Sequence, residues 1–183
     1  MKKYITITAL IFSVNNLFAQ LDMYVQFSKN AVGFDMNYFG EKKISDKFSI
    51  NYFGLMEKTW SEALVGGTYS PTQSLSFTAM TGIEHGSKSP RYFAGVWTGK
   101  GKTSLLSMFE KGKGKDNYWY RVNLYQQVSE NVTAGLVAWR YNGTGPIFRY
   151  TVKKLAGSTL WMMPAYDFES HGAKLMTGVT IKF

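Results

Sequence analysis

The chain contains no cysteine, so a disulfide framework, a thiolate metal site and lipid attachment at a cysteine are all excluded. It also lacks the ~20 consecutive apolar residues that a membrane-spanning helix needs. No amphipathic helical period of normal length can be found. Long linkers, low-complexity tracts and sequence repeats are missing too. Neither an HExxH motif nor a paired-cysteine spacing is present to hold zinc. A glycine-rich phosphate loop is absent too, since Gly95 and Gly101 are six residues apart where that motif needs five. No metal or other cofactor is expected. At 183 residues the chain suits one domain.

The N-terminus carries a positive pair, Lys2 and Lys3, then a short apolar stretch from Tyr4 to Val14. Asn15 and Asn16 break it, and Leu17-Phe18-Ala19 precedes Gln20. That order of charge, apolar core and small residue predicts a secretory signal peptide over 1–19, cleaved after Ala19, and a mature domain over 20–183. Removing Lys2 and Lys3 lowers the formal net charge from +9 to +7. A secreted basic protein points away from nucleic acid and toward acidic lipopolysaccharide or an anionic solute. Most lysines, however, lie in turn-like runs such as Glu41-Lys42-Lys43 and Lys111-Gly112-Lys113-Gly114-Lys115, where they solvate rims.

What the mature chain does have is alternation of polarity over segments of about 10 residues, divided by turn chemistry. Leu21, Met23, Val25 and Phe27 oppose Asp22, Gln26 and Ser28. Val32, Phe34, Met36 and Tyr38 oppose Asp35, Asn37 and Glu41. Phe48, Ile50 and Tyr52 oppose Ser49 and Asn51, and Leu75, Phe77, Ala79 and Ile83 oppose Ser76, Thr78 and Glu84. Tyr118, Tyr120, Val122 and Leu124 oppose Arg121 and Asn123, and Leu175, Val179, Ile181 and Phe183 oppose Lys174, Thr180 and Lys182. Such segments build a sheet with one apolar and one polar face. Thr103 to Glu110 and Val132 to Tyr141 are apolar in both registers, as strands that plug a lumen would be.

The predicted strands are 21–29, 31–43, 47–57, 60–70, 74–84, 91–99, 103–110, 117–127, 131–141, 146–154, 159–168 and 172–183. An even count lets both ends of the chain lie on the periplasmic side. Turns near Ser45-Asp46, Pro71-Thr72, Gly101, Ser129-Glu130 and Gly157 would then be periplasmic. Those near Asn30, Lys58, Gly86-Ser87, Gly112-Lys115, Gly143 and His171 would face outward. The outward turns are short for the class, which leaves ten or eight strands open.

Aromatic residues make up 16% of the chain. A small soluble barrel would have to bury them inside. Facing outward instead, they suit lipid, with Trp60, Tyr69, Tyr92, Trp139, Tyr141, Tyr166 and Phe168 in interfacial girdles. The end of the chain, Gly178-Val179-Thr180-Ile181-Lys182-Phe183, resembles the insertion signal of bacterial outer-membrane β-barrel proteins: glycine, two residues, a hydrophobic residue, any residue, a terminal aromatic. Met176 departs from the polar residue usual at that place. The resemblance implies an all-β, antiparallel, up-and-down transmembrane barrel in the outer membrane. It also implies engagement of the assembly machinery through Gly178, Ile181 and Phe183, by strand addition at an open edge.

On that fold, Asp35, Asn37, Glu41, Glu62 and Glu84 are expected to line one wall of a lumen, as is Asp22. Arg121, Asn123, Arg149, Lys153 and Lys174 are expected on the other, with Lys182. Opposed acidic and basic walls bias which solutes pass. The expected function is passive diffusion of small hydrophilic solutes, anions among them, as in small monomeric porins. The alternative is a closed structural barrel that binds lipopolysaccharide or a partner through its short basic loops. A third reading is catalytic: Glu84-His85-Gly86-Ser87 is similar to the His-x-Ser pair of outer-membrane lipid A deacylases, but it sits mid-chain with the acid first. Glu169-Ser170-His171 forms a second such group. A relay needs the hydroxyl bonded to the imidazole, and spacing alone does not supply that.

Overall fold

The computed structural model describes residues 17–155 and 157–183. Most of the expected signal segment therefore lies outside the described residues. Twelve strands follow one another in chain order: β1 (Leu17–Ser28), β2 (Val32–Lys43), β3 (Phe48–Met56), β4 (Ser61–Thr72), β5 (Leu75–Glu84), β6 (Arg91–Lys100), β7 (Thr103–Lys111), β8 (Tyr118–Gln127), β9 (Val132–Trp139), β10 (Gly143–Val152), β11 (Ser158–Asp167) and β12 (Gly172–Lys182). Each pairs antiparallel with its neighbours, and β1 closes the ring against β12. Among the described residues there is no helix. This is the all-β, up-and-down barrel that the alternation predicts, with the strand count of twelve.

Closure runs from Gln20↔Lys182 to Ser28↔Lys174. Ala19 and Phe183 extend it, with the Phe183 amide donating to the Ala19 carbonyl at 2.9 Å. The first residues of β1, Leu17 to Ala19, pair with Lys42 to Gly40 of β2. In a chain cut after Ala19, the seam would begin at Gln20.

Most strand limits shift by a residue or more from expectation, and two of the shifts have a clear physical reason. Pro71 stays inside β4, because a register shift between Tyr69 and Thr72 places it at a bulge, where its missing N–H is not required; the turn is 73–74. β10 starts at Gly143, not at Pro146. Gly143 holds a positive φ of 99° at the turn, and a Cβ there would lie 2.7 Å from the Tyr166 carbonyl oxygen. The β10–β11 register is unchanged from Thr144↔Tyr166 to Phe148↔Met162, so Pro146 sits opposite Pro164. The two residues that cannot donate thus share one gap in the ladder.

The outer face is a band of large apolar residues left exposed, among them Phe34, Ile50, Val65, Phe77, Leu124, Phe148 and Leu160. The turns at 29–31, 57–60, 85–90, 112–117, 140–142 and 168–171 lie together at the far end of the barrel. Those at 44–47, 73–74, 101–102, 128–131 and 153–157 share the near end with both ends of the paired chain.

Candidate functional site

Residues of alternate parity point inward, and the lumen they form is half filled. On one side Tyr24, Val137, Trp139, Ile147, Trp161, Met163 and Met176 make a buried cluster from β1 and β9–β12, with Trp119 and Tyr125 of β8 packed against it. Tyr24 stands between Trp139 and Trp161, with ring centroids 5.5 and 5.4 Å away. Asp22 accepts hydrogen bonds from Trp161 Nε1 at 2.9 Å and Thr180 Oγ1 at 2.8 Å, which satisfies the polar groups beside the cluster. Trp139 was expected in the girdle and is instead core. Trp60, expected there too, lines the lumen. Eight strands give an interior that side chains just fill; twelve enclose more, so inward aromatics can fill one side without closing the barrel.

The other side is hollow. A cavity of about 780 Å³ reaches the far-end residues Glu57, Asn117 and Tyr141. A second cavity, of about 580 Å³, lies toward the near end and takes in Gln73, Ser74, Lys102 and Lys182. Both are lined by Trp97, Tyr125 and Arg149, which places these three side chains at the boundary. Arg149 Nη1 donates to the Tyr125 hydroxyl at 3.3 Å, with the guanidinium carbon 5.3 Å from the ring centre. The inward face of β6 explains why space remains. It reads Arg91, Phe93, Gly95, Trp97, Gly99, and each ring covers the next glycine: added Cβ atoms would lie 2.9 Å from the Phe93 ring and 2.7 Å from the Trp97 ring. The rings therefore lie along the wall instead of projecting across the lumen.

Charge is organised in two ways. Arg91 is the hub of a buried network. Its Nε lies 2.7 Å from both Glu62 and Glu110, its Nη1 2.8 Å from Glu84, and Asn117 bridges Arg91 and Glu84. At the far end, Arg140 ties Glu169 to the Asp116 carbonyl, each at 2.9 Å, and stacks on Tyr118 at 3.5 Å. By contrast Arg121 and Arg149 have no carboxylate partner among the described residues. Arg121 lies on the Trp139 indole at 3.9 Å and donates through Nε to Asn123 at 3.0 Å. Asp35, with Glu57 just beyond β3, faces it from the opposite wall, since β2 and β8 stand half a turn apart in the ring of twelve. At the mouth, loss of water around Glu57 and the neighbouring Asp35 carboxylate push the Glu57 carboxyl up to about 7.

Of the residues expected to line the lumen, Asp35, Asn37, Glu62, Arg121, Asn123 and Arg149 border the larger cavity, as does Asp22. Lys182 borders the smaller one. Four others are elsewhere. Glu84 is held behind the cavity wall by Arg91 and Asn117. Glu41 accepts from Ser49 Oγ at the near end of β2. Lys174 is bound at the far end by Asp167, at 2.9 Å, and the Tyr141 carbonyl. Lys153 lies past β10 in an exposed turn, paired with Glu130 at 2.7 Å. Each is held by a group near a strand end: Glu41 by Ser49 of β3, Glu84 by Arg91 of β6, Lys174 by Asp167 of β11 and Lys153 by Glu130 of a turn. The sequence reading did not single out Arg91, Glu110, Phe93, Trp97 or Tyr125. The alternation of large residues with glycine along β6 is the signal that marks three of them.

The two hydroxyl–imidazole groups are turns. Ser87 Oγ accepts the Ser89 amide at 3.1 Å. Ser170 Oγ donates to Asp167 at 2.6 Å, while Glu169 is engaged with Arg140. Among the described residues no hydrogen bond joins either serine to a histidine. At the chain end, Gly178 faces inward, where a Cβ would lie 2.7 Å from the Trp161 ring, and Phe183 is exposed.

A closed antiparallel barrel with an apolar exterior and a polar, partly hollow interior is porin-like in architecture. The chain is similar in fold to the KdgM porin, with a TM-score of 0.59, 12% identity, and 90% of this chain and 99% of that chain covered. For the KdgM porin in complex with disordered oligogalacturonate the TM-score is 0.63, at the same identity and coverage. No family model matches the chain, and no curated protein matches it.

Proposed function

We propose that the mature barrel is an outer-membrane channel for passive diffusion of small hydrophilic solutes, with a preference for anions. The observation that carries this reading is the pair of cavities, one toward each end, that share Trp97, Tyr125 and Arg149. On this reading the two form one path, narrowest at the shared side chains, where Arg149 has no carboxylate partner among the described residues and bonds Tyr125. The near-end cavity has Lys102, Arg149 and Lys182 in its lining and no carboxylate, and basic rings favour passage of anions. Support for the membrane comes from the outer face. Soluble monomers rarely expose contiguous apolar patches beyond a few hundred Å², and here the exposed apolar residues occur on every strand.

The packed cluster favours one rival, a barrel that does not conduct. Planar bilayers separate the two. The wild type should give stepwise conductance with anion selectivity. Replacing Trp97 and Tyr125 together by alanine should raise the unit conductance several-fold. A wild type with no steps, and a double variant equally silent, would rule the channel out.

A further inference from the structure

The larger cavity has a feature that a conduit for hydrophilic solutes does not need. Its inner wall carries a circumferential row of side chains fixed by strand register: Met80 on β5 pairs with Phe93 on β6, Gly95 with Met108 on β7, and Met108 with Arg121 on β8. The Phe93 ring lies over Gly95, directly beside Met108. Leu55, Leu106 and Trp97 border the same space. None of these apolar groups belongs to the buried cluster on the other side of the lumen. Met80 is nearly buried, but Leu55, Phe93, Leu106 and Met108 are only half-buried where they border the void, and apolar surface left facing water is unfavourable by about 25 cal/mol per Å². The row ends at a cation. Arg121 is held flat on Trp139 and uses its Nε for Asn123, while its terminal nitrogens meet no carboxylate among the described residues. A volume of about 780 Å³ is within the range of pockets that enclose a whole small molecule.

We infer that this cavity is a binding site for an amphipathic carboxylate, an aryl or alkyl-aryl acid of one ring. The carboxylate would pair with Arg121, and the ring and its alkyl tail would cover Met108, Phe93–Gly95 and Met80. The carboxylates of Glu62, Glu84 and Glu110 are turned to Arg91, whose single charge offsets one of their three, and Asp35 and Glu57 lie across the lumen from Arg121, which leaves Arg121 as the cation on this wall for the ligand to meet. The inference rests on the proposed lumen being open to solutes, but it requires no conduction.

Calorimetric titration of the refolded protein in lipid nanodiscs, with empty nanodiscs subtracted, tests it. The probes are benzoate, 4-methyl-, 4-ethyl- and 4-propylbenzoate, with acetate as the small acid. Saturable binding of one molecule per barrel is expected, tightening about fourfold for each added methylene, as apolar burial dictates. Arg121→Gln should weaken it about tenfold or more, the loss expected for a hydrogen bond to a charged group. Phe93→Ser should flatten the alkyl series while leaving the weak benzoate affinity in place. Overturning results are partition without saturation, an alkyl series with no increment, or an Arg121→Gln variant that folds and binds as the wild type does. Bilayer recordings on the same preparations keep the two ideas apart. Binding without conductance defeats the channel alone, and conductance without saturable binding defeats the site alone.

Discussion

The two sides of the lumen are built by the same strand alternation and reach opposite outcomes. On β11 and β12 the inward positions include Trp161, Met163 and Met176, whose side chains meet Tyr24 and Trp139 and exclude solvent: Met163 and Met176 are 0% exposed. On β4, β5 and β6 the inward positions include Gly66, Gly82, Gly95 and Gly99, where a Cβ would strike a neighbour. The difference teaches that parity decides which face a residue joins, and side-chain volume along that face decides whether the face becomes core or cavity. The hollow side also has to hold buried charge without aromatic packing, and it does so through Arg91.

Loss of that arginine is the largest way to break the comparison. Arg91 and its three carboxylates are almost fully buried, with side chains at most 5% exposed. Arg91→Met keeps much of the volume and leaves the acids facing one another. Removing one partner of a buried ion pair typically costs ~3–5 kcal/mol. Denaturant unfolding of the barrel in lipid vesicles should show a loss of that size. The same change at Arg121, which has no carboxylate partner, should cost far less. Equal losses at both sites would show that the hollow side is not held by the Arg91 network.

A second change sharpens the comparison from within β6. Gly99→Val puts branched carbons where the Trp97 ring rests, 2.7 Å from an ideal Cβ, and no flexible tail is available to yield. The indole must leave the wall and move toward Tyr125 and Arg149, at the boundary between the cavities. Unit conductance in planar bilayers should fall several-fold with little change in stability, because the barrel's packed side is untouched. An unchanged conductance would place the narrow point elsewhere.

Much of this was legible in the sequence. Alternation gave the strand number, and almost every turn, because a period of two flips every side chain if the register slips by one. The exterior was legible for the same reason: Phe34, Ile50, Phe77 and Leu124 each have the apolar parity of their own strand and are exposed. What escaped was the content of the interior. Reading large rings as lipid-facing was right for Tyr69, Tyr92 and Phe168, which are exposed, and wrong for Trp139 and Trp60. Composition does not distinguish a girdle aromatic from a lumen aromatic; only its parity relative to the charged residues of its own strand does. Trp139 shares parity with Val137 on a strand with apolar residues in both registers and no charged residue, so β9 offered no charged reference. Nor could alternation foresee that Lys174 would be taken by Asp167 and Lys153 by Glu130, since one partner is the last residue of β11 and the other lies in a turn, and their geometry depends on the closed barrel.

The smallest expected effect concerns the far-end mouth on the acidic side. Glu57 sits just past β3 and opens onto the larger cavity beside Asp35. Restricted hydration there, and then repulsion from Asp35, raise its carboxyl to about 7. Both causes oppose the charged form, so below that pH the mouth carries one negative charge fewer, and above it the charge returns. Anion selectivity, read as the reversal potential under a salt gradient, should therefore decline as pH is raised from 6 to 8. Glu57→Gln should hold the low-pH selectivity across the whole range. At high salt the difference should shrink, because the Debye length falls from ~10 Å at 0.1 M to ~3 Å at 1 M, whereas the narrow point set by Trp97 and Tyr125 is steric and should not respond. A pH dependence that survives in Glu57→Gln would have to come from another mouth group, and Glu57 would then play no part in selecting charge.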